Sequence, residues 1–117
     1  MRYLCVVYCE PGTLDVLSPA EKATLDRDSI AYDVELQRQG HYIASDALQP
    51  VDEAKTVRVR RGRAMIVDGP FAETKEHLGG FILIEAKDMK EALAIAEKVP
   101  MAKYGTIEVR PVMKLSV

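Results

Sequence analysis

The chain has 117 residues, 48% of them hydrophobic and 29% charged, the balance of an ordinary folded domain and far from that of a disordered one. That length supports one core, so residues 1–117 are read as a single domain. With 16 Lys plus Arg against 18 Asp plus Glu, the net charge of −2 provides no global positive field to hold nucleic acid or an anionic membrane, and neither is expected as a partner.

No run of about 18 apolar residues is present, and Met1 to Tyr8 reads as a strand rather than a cleaved leader, which predicts a cytoplasmic protein. Cys5 and Cys9 lie four residues apart in that strand, a separation of about 13 Å that no disulfide spans. Both are read as small strand residues. Ser18-Pro19-Ala20-Glu21 then places a capping serine, a proline at the first helical position and a glutamate three after the cap. The helix should run from Pro19 to Gln39 and stop at Gly40. Leu25, Ser29, Tyr32 and Leu36 share one of its faces, while Ile30 and Val34 lie on nearly the opposite side, so the helix is expected to meet two surfaces.

Strands are predicted at Tyr42 to Leu48 and Lys55 to Arg60. Arg61-Gly62-Arg63 turns the chain back into a hairpin partner at Ala64 to Val67. Asp68-Gly69-Pro70 signals another turn, and Gly79-Gly80 leads into the apolar strand Phe81 to Ile84. Asp88 caps a second helix whose apolar set is Met89, Ala92, Leu93, Ala96 and Val99, with Pro100 as its stop and Thr106 to Val112 as the last strand. This order is a ferredoxin-like βαββαβ α+β fold with an added hairpin. Strand residues of both parities are apolar, yet two helices can cover only one face of the sheet. A second subunit covering the other face, giving a homodimeric α+β barrel, is the simplest solution.

Several chemistries have no support in the sequence. His41 and His77 do not combine with the cysteines at zinc-ligand spacing, so no metal site is expected. No glycine-rich phosphate loop precedes a helix and no G-x-S-x-G elbow occurs, so no cofactor is expected either. Arg58, Arg60, Arg61 and Arg63 form a basic hairpin without interleaved aromatics, which is read as a solvated turn. Arg58 is the exception, placed to reach an anionic ligand or a partner carboxylate.

The most distinctive segment runs from Asp68 to Glu76, Asp-Gly-Pro-Phe-Ala-Glu-Thr-Lys-Glu. A structural account has Asp68 capping the turn through its own backbone, with Gly69 and Pro70 shaping it and Phe71 as its anchor. A functional account has Asp68 at a strand end beside Glu73 as an acid–base group at the mouth of a cleft, with His77 pairing to Glu73 if the stretch is helical.

Here the sequence resembles the DGPF-type proteins of the YCII-related family. The likeness takes in Tyr3-Leu4-Cys5, Gly40, Leu48-Gln49-Pro50, Thr56-Val57-Arg58, the string from Asp68 to Glu76, Leu78-Gly79-Gly80-Phe81 and Glu108-Val109-Arg110-Pro111. The resemblance implies a ferredoxin-like fold, a homodimeric barrel and a bacterial cytosolic protein. It also implies that some members carry a histidine on the first helix near an aspartate in a cleft. At that helix position this chain has Ser29, one turn before Tyr32, and a serine cannot act as a base in place of imidazole near pH 7.

The candidate catalytic groups are therefore Asp68, Glu73 and His77, with Ser29, Tyr32 and Arg58 as candidate ligand-binding groups. Two classes of function follow. One is a small-molecule enzyme or binding protein with a polar pocket. The other, implied by the company DGPF-type proteins keep in bacterial genomes, is a non-catalytic regulatory module associated with an extracytoplasmic-function sigma factor.

Overall fold

The computed structural model describes residues 1–116. Strand β1 (Arg2–Cys9) alternates so that Tyr3, Cys5 and Val7 point to one side and are all buried. Helix α1 (Pro19–Arg38) starts on the expected capping box: the Glu21 amide donates to the Ser18 hydroxyl and the Glu21 carboxylate accepts from the Ser18 amide. It ends before Gly40, which adopts the left-handed φ of +81°.

Next come β2 (Tyr42–Ala47), β3 (Lys55–Arg60), β4 (Arg63–Asp68), β5 (His77–Glu85), α2 (Met89–Glu97) and β6 (Thr106–Pro111). Four strands form one antiparallel sheet in the order β2-β5-β1-β6, the ferredoxin-like arrangement, and β3 pairs with β4 as the added hairpin.

Both helices pack on the same face. Tyr3, Cys5, Ile82 and Ile84 from the sheet meet Leu36 of α1 and Ala92, Ile95 and Ala96 of α2, with Val99 beyond its end. Ile95 rather than Leu93 completes the buried stripe of α2, and Leu93 is 49% exposed. Strand β5 begins at His77, four residues before the predicted Phe81, because Gly80 is paired with Val7 and Ala47 and Gly79 lies within the strand, its carbonyl accepting from the Leu48 amide, rather than both forming a lead-in. An extra residue at Gly79 makes a bulge opposite Val7 and Tyr8.

Residues of the other parity, Leu4, Val6 and Tyr8 in β1 with Phe81 and Leu83 in β5, face away from the helices. The β3–β4 hairpin is an arm. Val57 and Val59 lie across from Ile66 and Ala64 on one of its faces, and Val57, Val59 and Ile66 are all more than half exposed. The radius of gyration of 16.2 Å, against about 13 Å for a compact chain of this length, agrees with an arm that extends from the body. Ile30 and Val34 of α1 are also exposed, so the second surface predicted for that helix is uncovered in the single chain.

Candidate functional site

A cleft of about 840 Å³ opens where α1 crosses the ends of β1, β2 and β5. Its size lies within the range of small-molecule sites. From the candidate list it contains Ser29, Tyr32 and His77, and it adds Cys9, Asp33 and Ser45, which sequence reasoning did not place there. Leu25, Ile30, Val7 and Met101 supply apolar wall.

The polar groups differ in how firmly they are held. Tyr32 donates its hydroxyl to the Ile95 carbonyl at 2.6 Å, which ties α1 to α2. Burial, with the nearby Cys5 as the lesser cause, pushes its pKa up to about 12, so Tyr32 is a fixed neutral strut near neutral pH. Asp33 accepts from the Ser45 hydroxyl at 2.8 Å, and Ser45 in turn lies 2.9 Å from the Tyr42 hydroxyl, a short polar chain between α1 and β2. The Ser29 hydroxyl and the His77 ring have no hydrogen-bond partner among the described residues, which leaves both free for a ligand. Cys9 makes one weak contact, its thiol donating to the Tyr104 carbonyl at 3.9 Å. Cys5, by contrast, lies in the core, where burial pushes its thiol up to about 11.

The remaining candidates lie on the arm and its return link. Asp68 is at the end of β4, its side chain 87% exposed and ion-paired with Lys55 across the hairpin. It does not cap its own turn. That turn is held instead by the Gly69 amide donating to the Ala54 carbonyl and by the Thr56 hydroxyl donating to the Gly69 carbonyl. Gly69 has a φ of +95°, which a residue with a Cβ would adopt only with strain. Arg58 stacks its guanidinium over the Phe71 ring at 4.7 Å. Glu73 is exposed, and because the chain from Glu73 to His77 is not helical the predicted Glu73–His77 pairing does not form. The link is anchored next to the cleft by Lys75, paired with Glu10 at 3.3 Å, and by Glu76, which accepts from the Thr106 hydroxyl at 3.0 Å. The structure therefore brings together Ser29, Tyr32 and His77, and separates them from Asp68, Glu73 and Arg58.

Cys9 and His77 reach the cleft by register. They are paired residues of β1 and β5, on the helix side of the sheet. Sequence alone carries no signal of this, because the bulge at Gly79 decides which β5 residue stands across from Cys9.

Comparison with known proteins fits this architecture. The model of the YCII-related domain matches residues 1–116. The chain belongs to the YCII-related family. An uncharacterized protein of Rhizobium meliloti (strain 1021), R00369, is 34% identical to this YCII-related chain over 113 residues, covering 95% of it and 91% of the relative. Among solved structures, 5-chloro-2-hydroxyhydroquinone dehydrochlorinase (TftG) from Burkholderia phenoliruptrix AC1100, in complex with 2,5-dihydroxybenzoquinone, superposes with a TM-score of 0.57. It is 18% identical, with 97% of this chain and 94% of that one covered, and at that identity it bears on the fold alone. No helix of the described residues is long and apolar enough to cross a membrane.

Proposed function

We propose that the cleft is a small-molecule site that accepts a small oxygenated ring, with His77 as its acid–base group. The observation that carries this is the convergence of unpartnered Ser29 and His77 with Asp33 and Ser45 around apolar walls, in a cleft of about 840 Å³. A planar ring buries its faces against Leu25, Val7 and Met101 while its oxygens meet the hydroxyls and the imidazole. Support of a second kind comes from TftG, a neighbour of the same fold whose structure holds 2,5-dihydroxybenzoquinone. Within one copy, imidazole is the cleft group best suited to move a proton near pH 7.

Titration calorimetry with 2,5-dihydroxybenzoquinone tests this reading. Saturable binding by the wild-type chain, lost in Ser29→Trp because the indole fills the cleft, is the expected result. Binding that Ser29→Trp leaves intact, or no binding at all, overturns the oxygenated-ring reading.

The working unit of this proposal is a homodimer. The sheet face turned away from the helices, where Val6 is already buried and Leu4, Phe81 and Leu83 are half-buried in one copy, is four strands wide and about seven residues long and offers roughly 400 Å² in projection, and the apolar side of the arm adds roughly 200 Å². Together they approach the roughly 800 Å² per partner that stable interfaces bury. Asp68, Glu73 and Arg58, remote from the cleft of their own chain, join such a site only from the second copy. The exposed arm favours one other reading, a module whose arm grips a different protein such as a sigma factor. That reading requires a monomeric chain with its arm free.

A further inference from the structure

We propose that Cys9 is a nucleophile of the cleft, activated by His77, and that it adds covalently to electrophilic ring carbonyl compounds of the quinone class. The inference deepens the ring-binding reading of the cleft and rests on it. Three observations carry it. Cys9 and His77 are directly paired across β1 and β5, so their Cβ atoms stand about 5 Å apart on the same side of the sheet. Both side chains are half-buried and line the cleft, where a ligand would meet them. Neither is committed elsewhere: the Cys9 thiol has only the 3.9 Å contact to the Tyr104 carbonyl, and the His77 ring has no hydrogen bond among the described residues. The other histidine, His41, is engaged through Nδ1 with the Glu85 carbonyl at 2.8 Å. The other cysteine, Cys5, is buried and its thiol is held protonated.

The thiol and the ring are not hydrogen-bonded to each other in this structure, but their paired positions bring them within reach by side-chain rotation, and thiol with imidazole is the pairing that cysteine nucleophiles use, because the thiolate is the reactive form and a neighbouring base supplies it at neutral pH. A ring nitrogen of His77 takes the proton from the Cys9 Sγ, and a sulfur electron pair forms a C–S bond to the ring carbon β to a carbonyl. The C=C π pair shifts to the bond between the α carbon and the carbonyl carbon, and the C=O π pair moves onto the carbonyl oxygen, which takes the proton back from His77. After a second proton shift, from the substituted carbon to the remaining carbonyl, the product is a hydroquinone thioether. The thiol is the two-electron reductant and the quinone is the oxidant, so no further reactant is needed.

The test measures covalent modification of the full-length protein at pH 7 by intact-mass and peptide mass spectrometry. Two probes are used: 1,4-benzoquinone, which the cleft should recognise, and iodoacetamide, which reports thiol activation without ring recognition. The expected result is a single adduct on Cys9 with both probes, none on Cys5 and none on Cys9→Ser. The Cys9 rate should exceed that of free glutathione by about tenfold or more, a modest share of what general-base assistance supplies. His77→Gln should return the rate to the glutathione level, and imidazole added to His77→Ala should restore part of it, which a merely structural role would not allow. Rates at or below that of glutathione with both probes, or rates unchanged in His77→Gln, overturn the proposal even if calorimetry shows the ring bound. Acceleration with iodoacetamide but not with benzoquinone upholds the activated thiol and counts against the ring-binding reading and the quinone class.

Discussion

Gly80 stands so close to β2 that a Cβ placed on it would lie 2.8 Å from the Asp46 carbonyl oxygen and 3.4 Å from the Ala47 Cα. Both obstacles are backbone, so Gly80→Ala must push β2 away from β5, at a cost of about 1–3 kcal/mol, the usual range for overpacking. Gly79 is the control, because its Cβ would meet only the Val7 carbonyl oxygen at 3.9 Å, an ordinary contact. Gly79→Ala should leave the unfolding free energy from urea titration within about 1 kcal/mol of wild type. Equal midpoints for the two variants would mean that β2 yields freely.

The Ser18–Glu21 box makes a second prediction. Ser18→Ala should destabilise by about 0.5–2 kcal/mol, the range for losing a helix cap. The backbone and side-chain hydrogen bonds to Ser18 hold the Glu21 carboxyl below its ordinary 4.5. A carboxyl whose pKa is lowered on folding adds stability above the unfolded pKa and loses it as pH falls through the folded one. Stability should therefore drop as pH falls below about 4.5, and the drop should be shallower in Ser18→Ala. Glu35, lowered chiefly by its hydrogen bond to Arg38, titrates in the same window and keeps part of the slope in both proteins.

The capping box shows what the sequence makes legible. Ser-Pro-x-Glu specifies its own geometry within four residues, so the start of α1 was readable to the residue. The strand order was readable too, since apolar runs and turn residues alternate in βαββαβ order. A glycine pair such as Gly79-Gly80 has the local signature of a loop, and only the approach of β2 at Gly80 explains why a strand needs a glycine there. The predicted apolar set of α2 contains Leu93 and omits Ile95, which the structure buries, for the same kind of reason: where α2 faces the sheet depends on its crossing geometry, which neighbouring residues do not encode. The cleft was half legible, with Ser29 and Tyr32 on the inward face of α1. Cys9 and Asp33 were not, because their place in it comes from strand register and helix docking across distant parts of the chain.

Asp68 illustrates a local motif with a different outcome. Its carboxylate pairs with Lys55 where both side chains are mostly exposed, and such surface pairs contribute about 0–1 kcal/mol. Asp68→Ala should lower the melting temperature only slightly, whereas Thr56→Val removes the hydroxyl bond to the Gly69 carbonyl, worth about 0.5–1.5 kcal/mol. A larger loss in Asp68→Ala than in Thr56→Val would return the turn to the aspartate.

Alkaline titration probes the core through Cys5 and Tyr32. Burial raises the Cys5 thiol from 9.0 to about 11, and Tyr32 rises from 10.0 to about 12. Groups that hold their protons more tightly when folded add stability below the unfolded pKa and lose it as pH climbs through the folded one. Unfolding free energy should therefore decline from about pH 9 to pH 12, and more gently in Cys5→Ala and Tyr32→Phe. Tyr32→Phe also loses the bond to the Ile95 carbonyl, about 1 kcal/mol at pH 7. An unchanged alkaline slope in both variants would place the loss on other groups.

The exposed arm, with the half-buried sheet face away from the helices, leads to the prediction with most bearing on function. An isolated two-stranded hairpin is marginal in water, and this one exposes Val57, Val59, Met65, Ile66 and Val67. If a second copy covers these residues and the Leu4, Val6, Phe81 and Leu83 face, light scattering should give twice 13.0 kDa, about 26 kDa. Val57→Lys combined with Ile66→Lys places two charges in the centre of that interface, each expected to cost about 2 kcal/mol or more of association free energy. The double variant should dissociate towards 13.0 kDa while its far-ultraviolet circular dichroism still reports the helices of the body. A wild-type chain that runs as a monomer at every concentration tested sinks the homodimer and leaves the arm free for a different protein. A dimer that survives the double substitution would keep the sheet-to-sheet contact and remove the arm from it, so that Arg58, Asp68 and Glu73 would have no route into the partner's cleft.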